Sequence, residues 1–331
     1  MKKNKHKKTV LIIVIISIVI VVIILFSLFL SKKQNEYPSD PISQESLGRS
    51  EIASFDLGAI EDHPVGDYKI WEVSRKVFID DISHMVEKID PSIGLQEDVG
   101  VGYYNWADDK GSYFQYSLLN NTLYFNLERG IPWTETGLTG DSFSLFMKTY
   151  FDTEWQYKIN RVRRIESETS TFYFANRLIS DQLPIETSEL FNETDYLELE
   201  NGSIRSGKLL LLELSDTGVK VPLLGLKELS RYINAEAYPK SLFFNQTEIA
   251  ETLSIKNGYI NGQAFNFQKE VKDCRAIKDE VVYLYSTFNQ NMLTPVFKLT
   301  LDCSLDYEGK EYFLPATAYV NAIQPEYVTV Q

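Results

Sequence analysis

Carboxylates are the residues of this sequence with the most capacity for catalytic chemistry, because the chain contains 46 Asp and Glu residues. Asp195 lies near Glu198 and Glu200, and two carboxyl groups beside a glycosidic bond are sufficient for acid–base hydrolysis. With so many acids in the chain, such a pairing arises readily by chance. We therefore expect no catalytic residue and no enzyme, and an envelope hydrolase that uses carboxylates stays open as an alternative.

The motifs of metal-dependent and nucleophilic enzymes do not occur in the sequence. Beyond residue 33 the histidines are His63 and His84, and there is no H-E-x-x-H motif and no Cys/His ligand spacing. Neither S-x-x-K nor G-x-S-x-G is present. The stretch DDKG (108–111) lacks the spaced oxygens of a calcium loop and predicts a β-turn instead. We expect no metal and no small-molecule cofactor.

The two cysteines, Cys274 and Cys303, are too few for a disulfide framework, so the hydrophobic core must stabilise the fold. They lie on strands separated by a loop centred near residue 290, where facing residues should have numbers that sum to about 580. The cysteine numbers sum to 577, so a bulge or a small register change would place them opposite each other. Two interpretations stay open, a disulfide and a pair of buried free thiols.

The charge distribution argues against a nucleic-acid partner. Residues 1–33 contain seven basic and no acidic residues, which leaves 26 basic and 46 acidic residues, a net charge of −20, in the remainder. A surface of this charge repels phosphate. The dense basic cluster in that remainder is RVRR (161–164), which we interpret as the solvated face of a strand, with an anion site as the alternative.

The N-terminus has the pattern of a membrane anchor. Val10 to Leu30 is an apolar run interrupted by two serines, and a helix of this length crosses about 30 Å of bilayer hydrocarbon. Five lysines precede the run and two follow it, which predicts a cytoplasmic tail (1–9), a transmembrane helix (10–31) and an extracellular remainder. The long run and the lack of a small-x-small cleavage site argue against a signal peptide.

The segment after the anchor is rich in Ser, Pro and acids, which predicts a flexible tether over 32–66. From Trp71 onward, apolar residues at helical spacing predict an amphipathic helix that ends before Pro91. A hairpin about Asn120-Asn121 follows, because this pair tolerates the positive φ that a tight turn requires.

The order of a helix followed by strands then recurs. The stretch DSFSLFMKTYF (141–151) predicts a second helix with Asp141 as its N-cap, and turns are predicted at Asn201-Gly202 and at 216–218. A third cycle has helices predicted at 226–233 and 246–254 and strands near 280–286, 295–303, 311–320 and 325–330. The pattern predicts an α+β fold in which a single N-terminal transmembrane helix precedes tandem helix-plus-antiparallel-sheet modules. We place a first α+β region at 67–224 and a C-terminal module at 225–331.

Two segments carry a resemblance to a known family. ANRLISDQLPIETSELFNETDYLELENGSIRSGKLLLLEL (175–214) contains a Pro-Ile step followed by a strand pair about Asn-Gly. VVYLYSTFNQNMLTPVFKLTLDCSLDYEGKEYFLPATAYVNAI (281–323) resembles the end of a PepSY-like module. Together, behind one transmembrane helix, they resemble the YycH/YycI-type accessory proteins of Gram-positive two-component systems. The resemblance implies a PepSY-like fold and a non-enzymatic role in modulating a sensor kinase.

These observations predict a membrane-anchored extracytoplasmic module that binds another membrane or envelope protein, with a sensor histidine kinase as one such partner. A structural component of a secretion or conjugation assembly has the same topology and stays open as an alternative.

Overall fold

The fold described below is that of a computed structural model of the full chain. The structure describes residues 42–43, 54–61, 66–74, 79–96, 102–118, 120–165, 169–179, 182–187, 195–235, 238, 240–244, 259–260, 263–264, 271–285, 290–307, 310–324 and 327–329. The predicted transmembrane helix from Val10 to Leu30 and the helix predicted at 246–254 lie outside these residues. Within the described residues, no helix is long and apolar enough to cross a membrane.

The described chain is α+β and mostly sheet, as the sequence predicts. The helices are α1 (Ile79–Ile89), α2 (Gly140–Phe151) and α3 (Leu226–Tyr232). The strands are β1 (Ile42–Ser43), β2 (Ser54–Asp56), β3 (Asp67–Ser74), β4 (Gly94–Gln96), β5 (Tyr103–Ala107), β6 (Tyr113–Ser117), β7 (Thr122–Pro132), β8 (Gln156–Arg164), β9 (Ser170–Ile179), β10 (Leu183–Thr187), β11 (Asp195–Glu200), β12 (Ser203–Leu210), β13 (Glu213–Pro222), β14 (Lys240–Phe244), β15 (Tyr259–Ile260), β16 (Gln263–Ala264), β17 (Val271–Tyr285), β18 (Met292–Leu293), β19 (Pro295–Tyr307), β20 (Lys310–Asn321) and β21 (Val328–Thr329).

One large sheet organises the molecule, in the order β14-β20-β19-β17-β10-β9-β11-β12-β7-β6-β5-β4, with β2 also pairing β17 and β8 also pairing β9. We call β4 to β9, β11 and β12 the N-terminal half-sheet, and β2, β14, β17, β19 and β20 the C-terminal half-sheet. The short strand β10 joins them, because it pairs antiparallel with β9 and parallel with β17. A second sheet, β13-β3-β18, packs over this junction through Val73 and Leu293, which share a core cluster with Tyr283.

The helices lie on one face of the large sheet, which we call the core face. Residues from α1 and α2, such as Ile82 and Phe146, share a buried cluster with Leu197 of the N-terminal half-sheet. In the C-terminal half, Leu229 of α3 shares a second cluster with Leu299. Burial of these apolar side chains supplies most of the favourable free energy of folding.

Two helices differ from the sequence prediction at their starts. Residues around Trp71 form strand β3, so α1 begins only at Ile79. In α2 the N-cap is Thr139 rather than Asp141, because the Thr139 hydroxyl accepts the Ser142 N–H and Ser142 Oγ accepts the Thr139 N–H in return. This reciprocal capping box satisfies two donors that the helix leaves unpaired.

The predicted turn at Asn201-Gly202 is present, with φ values of 48° and 75°. The turn predicted at 216–218 is instead an irregularity inside β13, where the register against β3 shifts between Asp216 and Lys220. Gly218, at φ 72°, takes the positive φ that this irregularity requires.

The predicted tether is structured in part. Ser54–Asp56 forms β2, which pairs parallel with β17, and Phe55 is buried in the C-terminal core. That core also contains Ile70 and Leu314, so it draws on both sides of the boundary predicted at 224 and 225. The sequence did not predict β2 within the tether, because this strand is only three residues long and its pairing partner lies more than 200 residues away.

Candidate functional site

The second face of the N-terminal half-sheet carries a continuous array of aromatic, cationic and amide side chains. In an antiparallel ladder, directly paired residues lie on the same face, so the register identifies which side chains are neighbours. A first row crosses seven strands and consists of Arg161, Phe174, Tyr196, Lys208, Tyr124, Gln115 and Asn105. A second row consists of Arg163, Phe172, Glu198, Ser206, Asn126 and Tyr113. We call these two rows the aromatic platform.

The aromatic rings of the platform contact one another and its cations. Phe174 lies 5.7 Å from Tyr196 between ring centroids, and Phe172 lies 5.9 Å from the same tyrosine. The Arg161 guanidinium sits 4.1 Å above the Phe174 ring, and Lys208 Nζ lies 6.0 Å from the Tyr124 ring. Offset and tilted rings with cations above them are attractive arrangements. The contacts hold these large side chains in defined positions on the sheet.

The platform side chains are half-buried or exposed, unlike those of the core face. Tyr113 is 46% exposed, and Tyr103, on the neighbouring strand β5, is 39% exposed. Burial raises the pKa of Tyr196, and Tyr124, Glu198 and Tyr113 raise it further. Its hydroxyl therefore stays protonated and able to donate a hydrogen bond at neutral pH.

Within the described residues, the carboxylates of this region are Glu198 and Glu200, and both have partners. Glu198 accepts a hydrogen bond from Ser206 Oγ at 2.5 Å. Glu200 pairs with Arg205 Nε at 2.8 Å. Arg161, Arg163 and Lys208 are the cations that the two rows place on the platform.

Next to the platform, on the same face, a buried polar cluster spans the junction of the two half-sheets. The Glu186 carboxylate, on β10, accepts hydrogen bonds from Lys298 Nζ at 2.8 Å and from the Tyr319 hydroxyl at 2.6 Å. Asn176 Nδ2 lies 3.4 Å from the same carboxylate. We call these four residues the junction cluster. It ties together β9, β10, β19 and β20, which is a structural role.

A second buried charge lies at the junction on the core face. The Arg177 guanidinium stacks 3.6 Å from the Trp155 ring and donates to the Leu212 carbonyl. Burial lowers the pKa of Arg177 to about 10, and Tyr157 and Asp195 oppose this shift. Arg177 is therefore charged at neutral pH and holds the segment that follows β12 close to β9.

Comparisons with known proteins assign no family to this chain. No family model matches it, and no curated protein matches it. A crystal structure of an uncharacterized protein from Eubacterium rectale is similar with a TM-score of 0.45 and 8% identity, over 84% of this chain and 90% of that one. The Bacillus megaterium YpeB C-terminal domain is similar with a TM-score of 0.29 and 8% identity, over 73% of this chain and 99% of that one. Both scores are below 0.5, so the PepSY-like and YycH/YycI-type resemblance stays a prediction.

The structure joins the two cysteines. Cys274 and Cys303 form a disulfide and are paired directly in the ladder between β17 and β19. Both are buried. The limits of the predicted membrane anchor, Val10 and Leu30, lie outside the described residues.

The acids singled out in the sequence are not brought together. Asp195 pairs with Ala175 on the core face and accepts the Leu210 N–H at 2.6 Å. Glu198 pairs with Phe172 on the platform face. The two carboxylates therefore point to opposite sides of the sheet and cannot flank one bond.

The remaining candidates have local explanations. Asp108 accepts the Lys110 and Ser112 N–H groups, which is the predicted turn. His84 is exposed on α1, whereas His63 is outside the described part of the chain. Across the described ranges, no group of three or more metal-binding side chains occurs.

The aromatic platform was not predicted from the sequence. The RVRR cluster does lie on an exposed strand, β8, but Arg161 stacks on an aromatic ring instead of facing only solvent. A signal was present in STFYFANRLI, where aromatic residues occupy both alternating positions of β9. When one face of an antiparallel sheet packs on the core and the other faces water, each strand should be apolar at alternate residues only. Aromatic residues at consecutive positions of β9 therefore indicate that its second face also makes contacts.

Proposed function

We propose that this chain is a non-catalytic, membrane-anchored extracytoplasmic module that binds another membrane or envelope protein through the aromatic platform. The observation that carries the proposal is the pair of rows that place Tyr, Phe and Arg side chains together on the sheet face opposite the helices. Tyr and Arg are enriched among the residues that dominate binding energy at protein interfaces. Rigid aromatic side chains also lose little conformational entropy on binding.

The predicted anchor is part of the proposed mechanism. A transmembrane helix from Val10 to Leu30 would confine the sheet to a thin layer at the membrane surface. A partner in the same membrane then meets it at a raised effective concentration, so a modest intrinsic affinity is sufficient. A sensor histidine kinase is the partner class that the family resemblance implies.

The hydrolase alternative has less support. Its best acids, Asp195 and Glu198, lie on opposite faces of β11. Glu198 and Glu200 share a face, but each already has its own partner.

The test is site-specific photocrosslinking in cells with the full chain. A photoreactive residue replaces Tyr113 on the platform, and the matched control replaces Phe313, which is 65% exposed on β20 outside the platform. We expect a membrane or envelope protein to be captured through position 113 and not through position 313, with mass spectrometry to identify it. Equal capture from both positions, or capture of glycan alone, would contradict the proposal. So would cell-wall hydrolysis by the protein that Glu198→Gln abolishes.

A further inference from the structure

A short segment of the predicted tether is bound to the C-terminal half-sheet in the manner of a peptide ligand. We call residues 54–57 the latch; they comprise β2 and the leucine that follows it. We infer that the edge of β17 over residues 273–275 is a strand-binding site for an extended segment of the pattern hydroxyl-Phe-x-apolar, and that the chain's own latch fills this site reversibly. The site is separate from the aromatic platform and from the function proposed for it.

The topology gives this stretch of β17 one described neighbour on its second side. The first side of β17 pairs with β19 along nearly its whole length. On the second side, β10 pairs with residues 283–285 and β2 pairs with residues 273–275, both parallel to β17. Of the described strands, β2 is the one that covers residues 273–275 on that side. A strand edge with N–H and C=O groups to satisfy is a template for an added strand.

The side chain of Asn234, just after α3, binds the main chain of the latch. The Phe55 N–H donates to Asn234 Oδ1 at 2.7 Å, and Asn234 Nδ2 donates to the Phe55 carbonyl at 3.2 Å. A side-chain amide that both accepts and donates takes the place of a neighbouring peptide group. These two hydrogen bonds recognise an extended backbone, whatever side chains it carries.

The side chains of the latch define which extended segment fits. Phe55 is 5% exposed and Leu57 is 7% exposed, and both belong to the core cluster that contains residues of α3. Ser54 is exposed, and its hydroxyl donates to the Asp273 carboxylate. Because alternate residues of a strand project to opposite sides, the aromatic residue enters the core while the hydroxyl before it stays at the surface.

The latch is held by fewer paired residues than the strands around it. β2 pairs with β17 through three residues, whereas β19 pairs with β17 through eleven. Ser54 and Asp56 are exposed on either side of Phe55. Short, partly exposed elements open locally while the rest of a fold persists. Cys274, which faces Phe55, is bridged to Cys303, so the receiving edge stays in place when the latch leaves.

The first experiment offers the latch in trans to the full chain in nanodiscs of neutral phosphatidylcholine. The capped, labelled peptide Ala-Ser-Phe-Asp-Leu-Gly-Ala-Ile repeats residues 53–60. The control peptide Ala-Phe-Ser-Asp-Leu-Gly-Ala-Ile has the same composition but directs its phenylalanine to the opposite side of the strand. Fluorescence anisotropy measures the dissociation constants. A closed latch lowers the apparent affinity by the fraction of open sites, so the first peptide should bind Phe55→Ala at least about tenfold more tightly than the wild type.

Variants assign this binding to the site. In the Phe55→Ala background, Asn234→Ala removes the amide that binds the main chain and should weaken binding of the first peptide at least about tenfold. Asn160→Ala is the matched control, because Asn160 is an exposed asparagine on β8, and it should leave the dissociation constant unchanged. Circular dichroism checks that each variant is folded.

Hydrogen exchange of the wild type tests reversibility without any substitution, so it decides the matter even where Phe55→Ala does not fold. Mass spectrometry of the full chain in the same nanodiscs measures exchange at residues 54–57. We expect these amides to be protected relative to the free peptide, yet to exchange at least about tenfold faster than the centre of β19, because the latch opens without unfolding the sheet.

Three results would overturn the inference: equal binding of the two peptides to Phe55→Ala, equal binding of the first peptide to Phe55→Ala and to the wild type, or exchange at residues 54–57 that equals either the free peptide or the centre of β19. The proposed function is tested separately, by capture through position 113, so these results leave it unaffected.

Discussion

Cys274 lies directly opposite Cys303, and a one-residue bulge between Ala276 and Lys278 brings them into register. Without that bulge the ladder nearer the loop would continue with Cys274 facing Ser304, and no disulfide could form. The sequence analysis predicted that a bulge or a small register change would place the cysteines opposite each other, and this bulge does so. Both cysteines lie in the core cluster that contains residues of α3.

The disulfide should contribute substantially to stability. It closes a loop with a sequence separation of 29, and in the chain-entropy model such a loop stabilises the folded state by about 3.6 kcal/mol. Cys274→Ala/Cys303→Ala should lower the free energy of unfolding by that amount in urea denaturation. Reductant should shift the midpoint of the wild type and leave the double variant unchanged. An identical midpoint for both proteins would show that the bridge does not form in solution.

The junction cluster should be far more sensitive to charge removal than an exposed ion pair nearby. Lys298→Met leaves the Glu186 carboxylate, which is 3% exposed, without its cation. We expect a loss of at least about 2 kcal/mol in the free energy of unfolding. The control is Lys278→Met, since Lys278 pairs with Glu280 at the surface, and it should cost less than about 1 kcal/mol. Equal losses in urea denaturation would refute the structural role of the cluster.

Gly207 should not tolerate a methyl group. A Cβ at this position would lie 2.6 Å from Phe125 and 2.9 Å from Leu197, and both neighbours are buried. Overpacking of this kind costs about 1–3 kcal/mol, so Gly207→Ala should lower the melting temperature. Gly94→Ala is the control, because nothing lies within 4 Å of its Cβ. If both variants melted together, the packing between β7, β12 and β11 would be looser than described.

The protein should lose stability at alkaline pH through its buried tyrosines. Burial, with Tyr285 nearby, raises the pKa of Tyr116 to about 12, and its hydroxyl donates to Asn121 Oδ1 at 3.3 Å. An unfolded tyrosine has a pKa of about 10. The stabilisation is therefore complete below about pH 10 and is lost as the pH rises through about 12.

Urea denaturation between pH 9 and pH 12 measures this slope. Tyr116→Phe should flatten it, even though the variant loses a hydrogen bond at neutral pH. Tyr113→Phe is the control, since Tyr113 is exposed, and should leave the slope unchanged. An unchanged or steeper slope in Tyr116→Phe would contradict the assignment.

Local features of the fold were predictable from the sequence because they depend on neighbouring residues. Alternation identified strands such as β11, and Asn201-Gly202 set its turn to β12 because both residues adopt positive φ. The helix α3 lies within the stretch predicted at 226–233. The N-cap of α2 was misplaced by two residues, since Thr139 and Asp141 are both good capping residues and only the backbone conformation decides between them.

Features that depend on pairing between distant segments could not be predicted from local sequence patterns. The parallel pairing of Ile185 with Tyr283 joins positions far apart in sequence, and no local pattern encodes it. The platform depends on the same kind of information. Arg161, Tyr196 and Lys208 fall into one row only once the register of four strands is known.

The pairing of β2 with β17 has a consequence for the order of events during synthesis. Ser54 and Asp273 are hydrogen-bonded to each other but 219 positions apart in the chain. At about 5–20 residues per second, ribosomes make the second partner roughly 10 to 45 s after the first. The N-terminal half-sheet can be assembled during that interval, whereas the core beneath α3 must wait for the last strands. A premature stop codon after β12 and before β17 would therefore yield a chain with the N-terminal half-sheet complete and Phe55 without its core, a ready substrate for quality-control proteases.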